Sequence, residues 1–372
     1  MKFSGNNQAS KKGARSHCFF KAILNYFPMF RRLSLHNLIW FVFFSYGCVQ
    51  TEGRVDPPSV LTGRIMGTYY RVTFAENLSP RKLDQLANVV EEKLTRINRL
   101  MSTYRDDSEI SRFNRFEKKE WFDISKETAF VVSKALEIHE ASGGRFDITV
   151  SPLVELWGFG KIKERDKPPA HAEIEQALRS IGSQNLKVRL EPPAIRKAIP
   201  ELEIDLSAIA KGFAVDLVFK ELQAKGITNF LVDIGGEIRA SGSKTADQPW
   251  QVAIESPVSP GEILKTLPLV GGSLATSGNY RNFFEFQGNR YSHTIDPQTG
   301  YPAKHSIVSV SIIANDCLVA DAWATAFMIS SAKESLDLAE QLKIAALIIQ
   351  SGDTGSTEFQ SKQFSRLTNE GH

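Results

Sequence analysis

Asp321 and Thr325 stand four residues apart in the run Ala320-Asp321-Ala322-Trp323-Ala324-Thr325, which reads as helix. That spacing places a carboxylate and a hydroxyl on one helix face, about a turn apart. Both offer hard oxygens, suited to a Mg2+ ion that keeps several waters and meets phosphate oxygens. An aspartate near the start of an apolar helix also serves as a cap or a favourable dipole charge, and the spacing alone does not separate the two readings.

Three further clusters carry chemistry-bearing residues. In Asp205-Leu206-Ser207-Ala208-Ile209-Ala210-Lys211-Gly212 a polar strand end leads into a helix whose first turn holds Lys211. Free N–H groups and partial positive charge at a helix start favour phosphate, and a lysine there opposes the dipole unless it faces an anion. The other reading is an N-cap with a solvated lysine. In Leu231-Val232-Asp233-Ile234-Gly235-Gly236-Glu237 a buried strand runs into two glycines, which allow close backbone approach or a simple tight turn. Ser292-His293-Thr294-Ile295-Asp296-Pro297 leads into a turn, and His293 there is either a titratable acid or base or a packing residue. No P-loop, GxGxxG, GxSxG or HExxH pattern occurs.

The elements that must position these residues follow from periodicity. Residues 61–75 alternate and predict one strand carrying Met66-Gly67-Thr68. Ser79-Pro80 reads as the N-cap and first residue of a helix whose apolar face is Leu83, Leu86, Val90, Leu94, Ile97 and Met101. A second helix runs from Ser125 to Gly143-Gly144, and a charged, Pro-rich loop spans 161–170. Helices are also expected over 171–181, 208–222, 318–330 and 332–342, and strands over 186–190, 202–206, 230–234, 250–254, 283–286, 307–313 and 344–349. The tail 351–372 reads as polar and loose. Strands and helices mix without strict βαβ alternation, which predicts an α+β fold rather than a doubly wound sheet.

Charge is divided unevenly. Residues 1–48 hold seven Lys/Arg and no Asp or Glu, so the remainder has 38 basic against 42 acidic residues. This mildly acidic body gives no case for a nucleic-acid partner. The seven apolar residues 38–44 are too few to span a bilayer but suit a signal-peptide core, and Gly47-Cys48 resembles a lipoprotein cleavage site with Cys48 as the lipidated residue. Counted from Met29, Arg31-Arg32, the apolar core and the cysteine make a leader of ordinary length, so Met29 is the expected start; an uncleaved anchor is the other reading. Residues 49–60, with Pro57-Pro58, form a tether to the body at 61–350. Of Cys18, Cys48 and Cys317 only the last lies in that body, where it is expected as a small core residue.

Eight motifs in order resemble one family. They are Met66-Gly67-Thr68; Met101-Ser102-Thr103-Tyr104 with Ser111-Arg112-Phe113-Asn114; Phe146-Asp147-Ile148-Thr149; Pro152-Leu153 with Leu156-Trp157; Asp205-Leu206-Ser207 with Lys211-Gly212; Asp233-Ile234-Gly235-Gly236; His293-Thr294-Ile295-Asp296-Pro297 with Thr299-Gly300; and Ala320-Asp321-Ala322 with Thr325. The set is similar to the ApbE proteins, which are FAD:protein FMN transferases, over about residues 61–350. The resemblance implies mixed sheets with packed helices in two lobes (T-fold-like) and FAD in the cleft between them. It implies FAD contacts from Met66, Tyr104, Arg145, Phe146, Asp147, Asp205, Lys211 and Ile295. Mg2+ ligands would be the Ala208 carbonyl, Asp321, Thr325 and the Ala324 carbonyl. FMN would pass to a Ser/Thr hydroxyl of an exported or membrane-bound redox subunit, with AMP released and His293 assisting deprotonation. The enzyme would be lipid-anchored in the cell envelope, facing the periplasm. An Mg2+-dependent FAD pyrophosphatase and a non-catalytic periplasmic FAD-binding protein are the competing readings.

Overall fold

The structure, a computed structural model, describes residues 58–161, 165–259, 261–279, 283–304, 306–352 and 355–369. The expected leader, the Met29 start and Cys48 lie outside the described residues.

The chain opens with an antiparallel hairpin of β1 (Val60–Ile65) and β2 (Thr68–Phe74). One strand was expected here, but Met66 and Gly67 both take left-handed backbone (φ 52° and 74°), the two-residue turn that matches strand twist. Helix α1 (Pro80–Met101) starts as its sequence predicts: Ser79 accepts the Lys82 N–H, and Leu86, Val90, Leu94, Ile97 and Met101 are buried. After α2 (Glu109–Asn114) and the short β3 (Phe122–Asp123), α3 (Lys126–Ala141) is capped by Ser125. It gives way to Gly143 and Gly144, both at positive φ. Helices α4 (Ser151–Leu156) and α5 (His171–Leu178) surround a small core of Leu153, Trp157, Ile174, Ile181 and Ile295. Strands β4 (Leu186–Leu190) and β5 (Pro193–Lys197) join β3 in a three-stranded sheet of order β3-β5-β4.

The strand expected at 202–206 joins no sheet; two side chains and one main-chain carbonyl take its backbone groups. Asn114 Nδ2 donates to the Ile204 carbonyl (3.0 Å) while its Oδ1 accepts the Ile204 N–H (2.9 Å). Lys197 Nζ donates to the Leu202 carbonyl (2.9 Å), and the Asp205 N–H reaches the Ile148 carbonyl (2.7 Å). An extended segment satisfied in this way is held without a neighbouring strand.

Helix α6 (Ala210–Ala224) then leads to β6 (Phe230–Ile234) and β7 (Glu237–Ser241). The hairpin β8 (Trp250–Glu255) and β9 (Ile263–Leu269), strand β10 (Ser273–Gly278), and the hairpin β11 (Phe283–Phe286) and β12 (Asn289–Ser292) follow. The chain closes with β13 (Ile307–Ala314), α7 (Cys317–Phe327), α8 (Ala332–Leu342), β14 (Ala345–Gly352), β15 (Gly355–Gln360) and α9 (Lys362–Asn369). Eight strands form the main sheet in the order β1-β2-β6-β7-β10-β13-β14-β15, every neighbouring pair antiparallel.

Both faces of this sheet are covered, and β14 shows how. Ala346 and Ile348 enter the large core made with α1, α3, α6 and α7, while Ala345, Leu347 and Ile349 enter a second core with β8, β9 and Phe364. The alternation is the period of two that a strand imposes. Over its described residues 355–369 the segment expected as a loose tail is ordered as β15 and α9. Phe364 is fully buried, and Ser361 Oγ accepts the N–H groups of Ala346 (2.9 Å) and Phe364 (3.2 Å), so a single aromatic and a capping serine fix a mostly polar segment. The fold is α+β, as expected. No helix among the described residues is long and apolar enough to cross a membrane.

Candidate active site

A cleft of about 940 Å3 opens between the helical side of the main sheet and the small core around Trp157. It is lined by Tyr104, Arg145, Phe146, Asp147, Asp205, Ala208, Lys211, His293, Ile295, Asp321 and Thr325, eleven of the thirteen body residues expected at the site. Met66, on the β1–β2 turn, packs against the large core, and Ala324 is fully buried; neither lines the cleft.

The centre of the cleft is the crossing of α6 and α7. Gly212 lies so close to α7 that a Cβ there would sit 2.4 Å from the Cys317 carbonyl oxygen. This approach lets the Gly212 N–H donate to Asp321 Oδ2 at 3.0 Å. Gly212 is the third residue of α6, and the first N–H groups of a helix have no partner within it, so this bond satisfies one of them. Ala208 stands just before the helix N-cap, Ile209, and lines the cleft together with the oriented Asp321. One turn further along α6, Asp216 accepts the first N–H groups of α7, from Cys317 and Leu318 (2.9 Å each), and is paired with Arg239. Two points of attachment thus fix the position of α7.

Three charged groups meet here. Lys211 Nζ lies 2.6 Å from Glu237 Oε1 and 3.6 Å from Asp321 Oδ1. Asp321 is 3% exposed and Glu237 4%, so this is buried charge. Burial would lower the Lys211 ammonium, but the charges of Asp321 and Glu237 raise it above its ordinary value. Burial pushes the Glu237 carboxyl above its ordinary value, while the Lys211 ammonium beside it opposes the shift and favours the charged form. Glu237 Oε2 is buried without a hydrogen-bond partner.

A hard divalent cation fits this donor set. Thr325 Oγ1 faces Ser277 Oγ at 3.2 Å, beside the Asp321 carboxylate on the same helix face. The last turn of α7 tightens, so the Met328 N–H goes to the Thr325 carbonyl (3.1 Å) rather than to that of Ala324. Among the described residues no group of three or more His, Cys, Asp or Glu could hold a metal ion. The set here is of another kind, one carboxylate with hydroxyl and main-chain oxygens, as suits an ion that keeps water.

The rest of the lining is more varied. Tyr104 stands at the mouth, 71% exposed. Asp205 Oδ1 accepts the N–H (2.8 Å) and hydroxyl (2.5 Å) of Ser207, closing the turn that starts α6. The Asp147 carboxylate is used internally: it accepts from Thr149 N–H (2.8 Å), Thr149 Oγ1 (2.6 Å) and Ser183 Oγ (2.7 Å), so it shapes the loop. Arg145 is held by Ser330 Oγ and by the Ser142 carbonyl (2.8 Å). His293 packs edge-on against Phe159, with ring centroids 6.3 Å apart. It leaves β12 just before a turn that Trp157 Nε1 secures through the Gly300 carbonyl (2.8 Å).

Three contributors escaped the sequence reading as site residues. Glu237 had a legible mark, a charge on the buried phase of the strand that follows the glycine pair. Ser277 had none. Asn114 lay inside a quoted motif, but its clamp on residue 204 depends on a contact 90 positions away.

The chain matches the ApbE family over residues 66–348. It is 39% identical to the FAD:protein FMN transferase of Vibrio cholerae over 319 residues, covering 86% of this chain and 94% of that protein. It is 35% identical to the protein of the same name from Salmonella typhimurium, covering 82% and 88%. Among solved structures, the apo flavinyl transferase ApbE of Pseudomonas stutzeri superposes with a TM-score of 0.77 at 35% identity, covering 85% of this chain and 97% of that one. The flavin transferase ApbE of Vibrio cholerae gives 0.76 at 37% identity, covering 84% and 100%. With a cleft lined by residues from seven of the eight ordered motifs, this chain belongs to the ApbE family.

Proposed function

We propose that this protein is a Mg2+-dependent transferase that moves FMN from FAD to a Ser or Thr hydroxyl of an exported or membrane-bound redox protein, releasing AMP. The names of its relatives support flavin transfer from FAD to protein. The observation that carries the finer reading is the Gly212 N–H bond to Asp321, which orients a carboxylate in the polar corner of the cleft that Ala208 and Thr325 also line. Asp321, Thr325 and the carbonyl of Ala208 would hold Mg2+, which when bound neutralises charge on the pyrophosphate, whereas the fully buried Ala324 stays outside the cleft.

The protein's own groups do the rest. Lys211 contributes positive charge where the phosphates would lie, and the 202–206 segment with Asp205 and the 145–147 loop orient the flavin half. The acceptor oxygen bonds to the FMN phosphorus while the bond from that phosphorus to the bridging oxygen breaks. AMP leaves with that oxygen, and the hydroxyl proton passes to His293. Cleft walls from Phe159 and Ile295 limit the water that competes with the acceptor.

Lipid anchoring through Cys48 in the cell envelope rests on the leader pattern; fatty-acid labelling of the wild type and not of Cys48→Ala tests it. For the reaction, the protein is incubated with FAD, Mg2+ and a candidate redox subunit. Transfer gives AMP and an acceptor heavier by one FMN moiety, and Asp321→Ala loses both while still melting cooperatively. FMN and AMP formed equally with or without acceptor make it a pyrophosphatase. FAD retained unchanged after metal addition makes it a carrier and overturns the proposal.

A further inference from the structure

Lys211 lies beside two buried carboxylates, and the two contacts are unequal. Its Nζ is 2.6 Å from Glu237 Oε1 but 3.6 Å from Asp321 Oδ1, the first a hydrogen-bonded pair and the second beyond hydrogen-bond reach. Asp321 spends its other oxygen on the Gly212 N–H. Oδ1 is thus the oxygen left for a ligand, and Lys211 is the cation nearest to it. Glu237 comes from the main sheet, at the first position of β7, whereas Lys211 and Asp321 come from α6 and α7. Its Oε2 is buried and unpartnered, a costly state for a carboxylate that only packing would not explain.

We propose that Glu237 is a positioning residue whose task is to hold Lys211 off Asp321, keeping Asp321 Oδ1 open to a divalent cation. This rests on the cation reading of Asp321 given above. Without Glu237 the half-buried ammonium keeps one carboxylate close by, that of Asp321, and is drawn toward it by their opposite charges. Lys211 then closes the 3.6 Å gap and competes directly with the incoming metal.

The test is a double-mutant cycle read by Mn2+ binding, with free Mn2+ followed by electron paramagnetic resonance on the full chain without turnover. Glu237→Gln should weaken Mn2+ binding by about tenfold or more, within the coupling range of contacting residues. In a Lys211→Met background the same change should cost less than about threefold, because no ammonium remains to be held away. An equal loss in both backgrounds means that Glu237 attracts the metal directly, and the proposal falls. A wild type that binds no Mn2+ removes the cation reading itself, whereas a wild type that binds while Glu237→Gln binds equally well removes only this inference. If the Lys211→Met protein does not fold, a crystal structure of metal-free Glu237→Gln decides. Nζ within about 3 Å of an Asp321 oxygen supports the proposal, and an unmoved Nζ overturns it.

Discussion

The main-chain N–H of Gly212 donates to Asp321 Oδ2 at 3.0 Å, tying α6 to α7 at the floor of the cleft. The bond exists because position 212 has no side chain: a Cβ would meet the Cys317 carbonyl carbon at 2.7 Å and its oxygen at 2.4 Å. Backbone cannot yield as a flexible side chain would. Gly212→Ala should therefore part the two helices, lengthen this bond and misplace Asp321. The expected outcome is a loss of about 100-fold in Mg2+-dependent AMP release, on the scale of an ångström-sized misplacement. A stability loss of about 1–3 kcal/mol from overpacking should accompany it. A kinetic assay with a urea melt checks both, and a fully active variant would show that the crossing tolerates separation.

Asn114 holds the 202–206 segment with both ends of its amide, at 3.0 and 2.9 Å from the Ile204 main chain. Asn114→Ala leaves two backbone groups to find other partners, at a cost of about 1–3 kcal/mol. Because Asp205 follows directly, FAD binding should weaken as well. Thermal melts with FAD titrations check the pair of effects. An early melt with unchanged FAD affinity would detach this clamp from ligand binding.

The same segment shows what the sequence could and could not reveal. Residues 202–206 alternate like a strand and are extended, yet no strand pairs with them; side chains from 114 and 197 stand in. Periodicity reports conformation and burial, not the identity of a hydrogen-bond partner. Elements with their own local marks were legible, such as α1 with Ser79 as cap and α3 with Ser125. The β1–β2 turn was missed because Met66 occupies a left-handed position where Gly, Asn or Asp is the usual mark. At the site, the motif residues converge on one cleft, but the Asp147 carboxylate, expected to meet FAD, is taken up by Thr149 and Ser183. Motif membership located that residue without revealing which way its side chain is used.

Lys197 provides a pH signature of the fold. It is fully buried, with Nζ donating to the carbonyls of Leu202 (2.9 Å) and Asn114 (3.1 Å). Burial holds its ammonium below the ordinary lysine value, with nearby glutamates opposing. Between the lowered folded value and the ordinary unfolded one, the unfolded chain binds more protons. Stability from this group therefore rises with pH across that alkaline window and levels off above the unfolded value near 10.4. Lys197→Met should flatten that part of the profile. Urea midpoints of both proteins from about pH 8 to about pH 10 make the comparison, and parallel profiles would contradict it.

His293 lines the cleft opposite the helix pair and packs edge-on against Phe159. Two roles are open to such a ring, and they predict different measurements. As the base that takes the acceptor proton, it must be neutral before transfer, so the wild-type rate rises with pH as the ring loses its proton. His293→Ala should then slow transfer by about 10²–10⁴-fold and flatten that rise. FAD affinity should hold, because the flavin half is oriented from the 202–206 segment and the 145–147 loop. As packing against Phe159, the ring would instead support the small core around Trp157. Its loss would lower the melting temperature and loosen FAD, and the pH profile would keep its shape. Following AMP release at several pH values, with an FAD titration and a melt, separates the two. A variant that melts early yet keeps the wild-type profile takes the base away from His293. A variant that binds FAD normally but transfers slowly, with no pH dependence, places the proton on that ring.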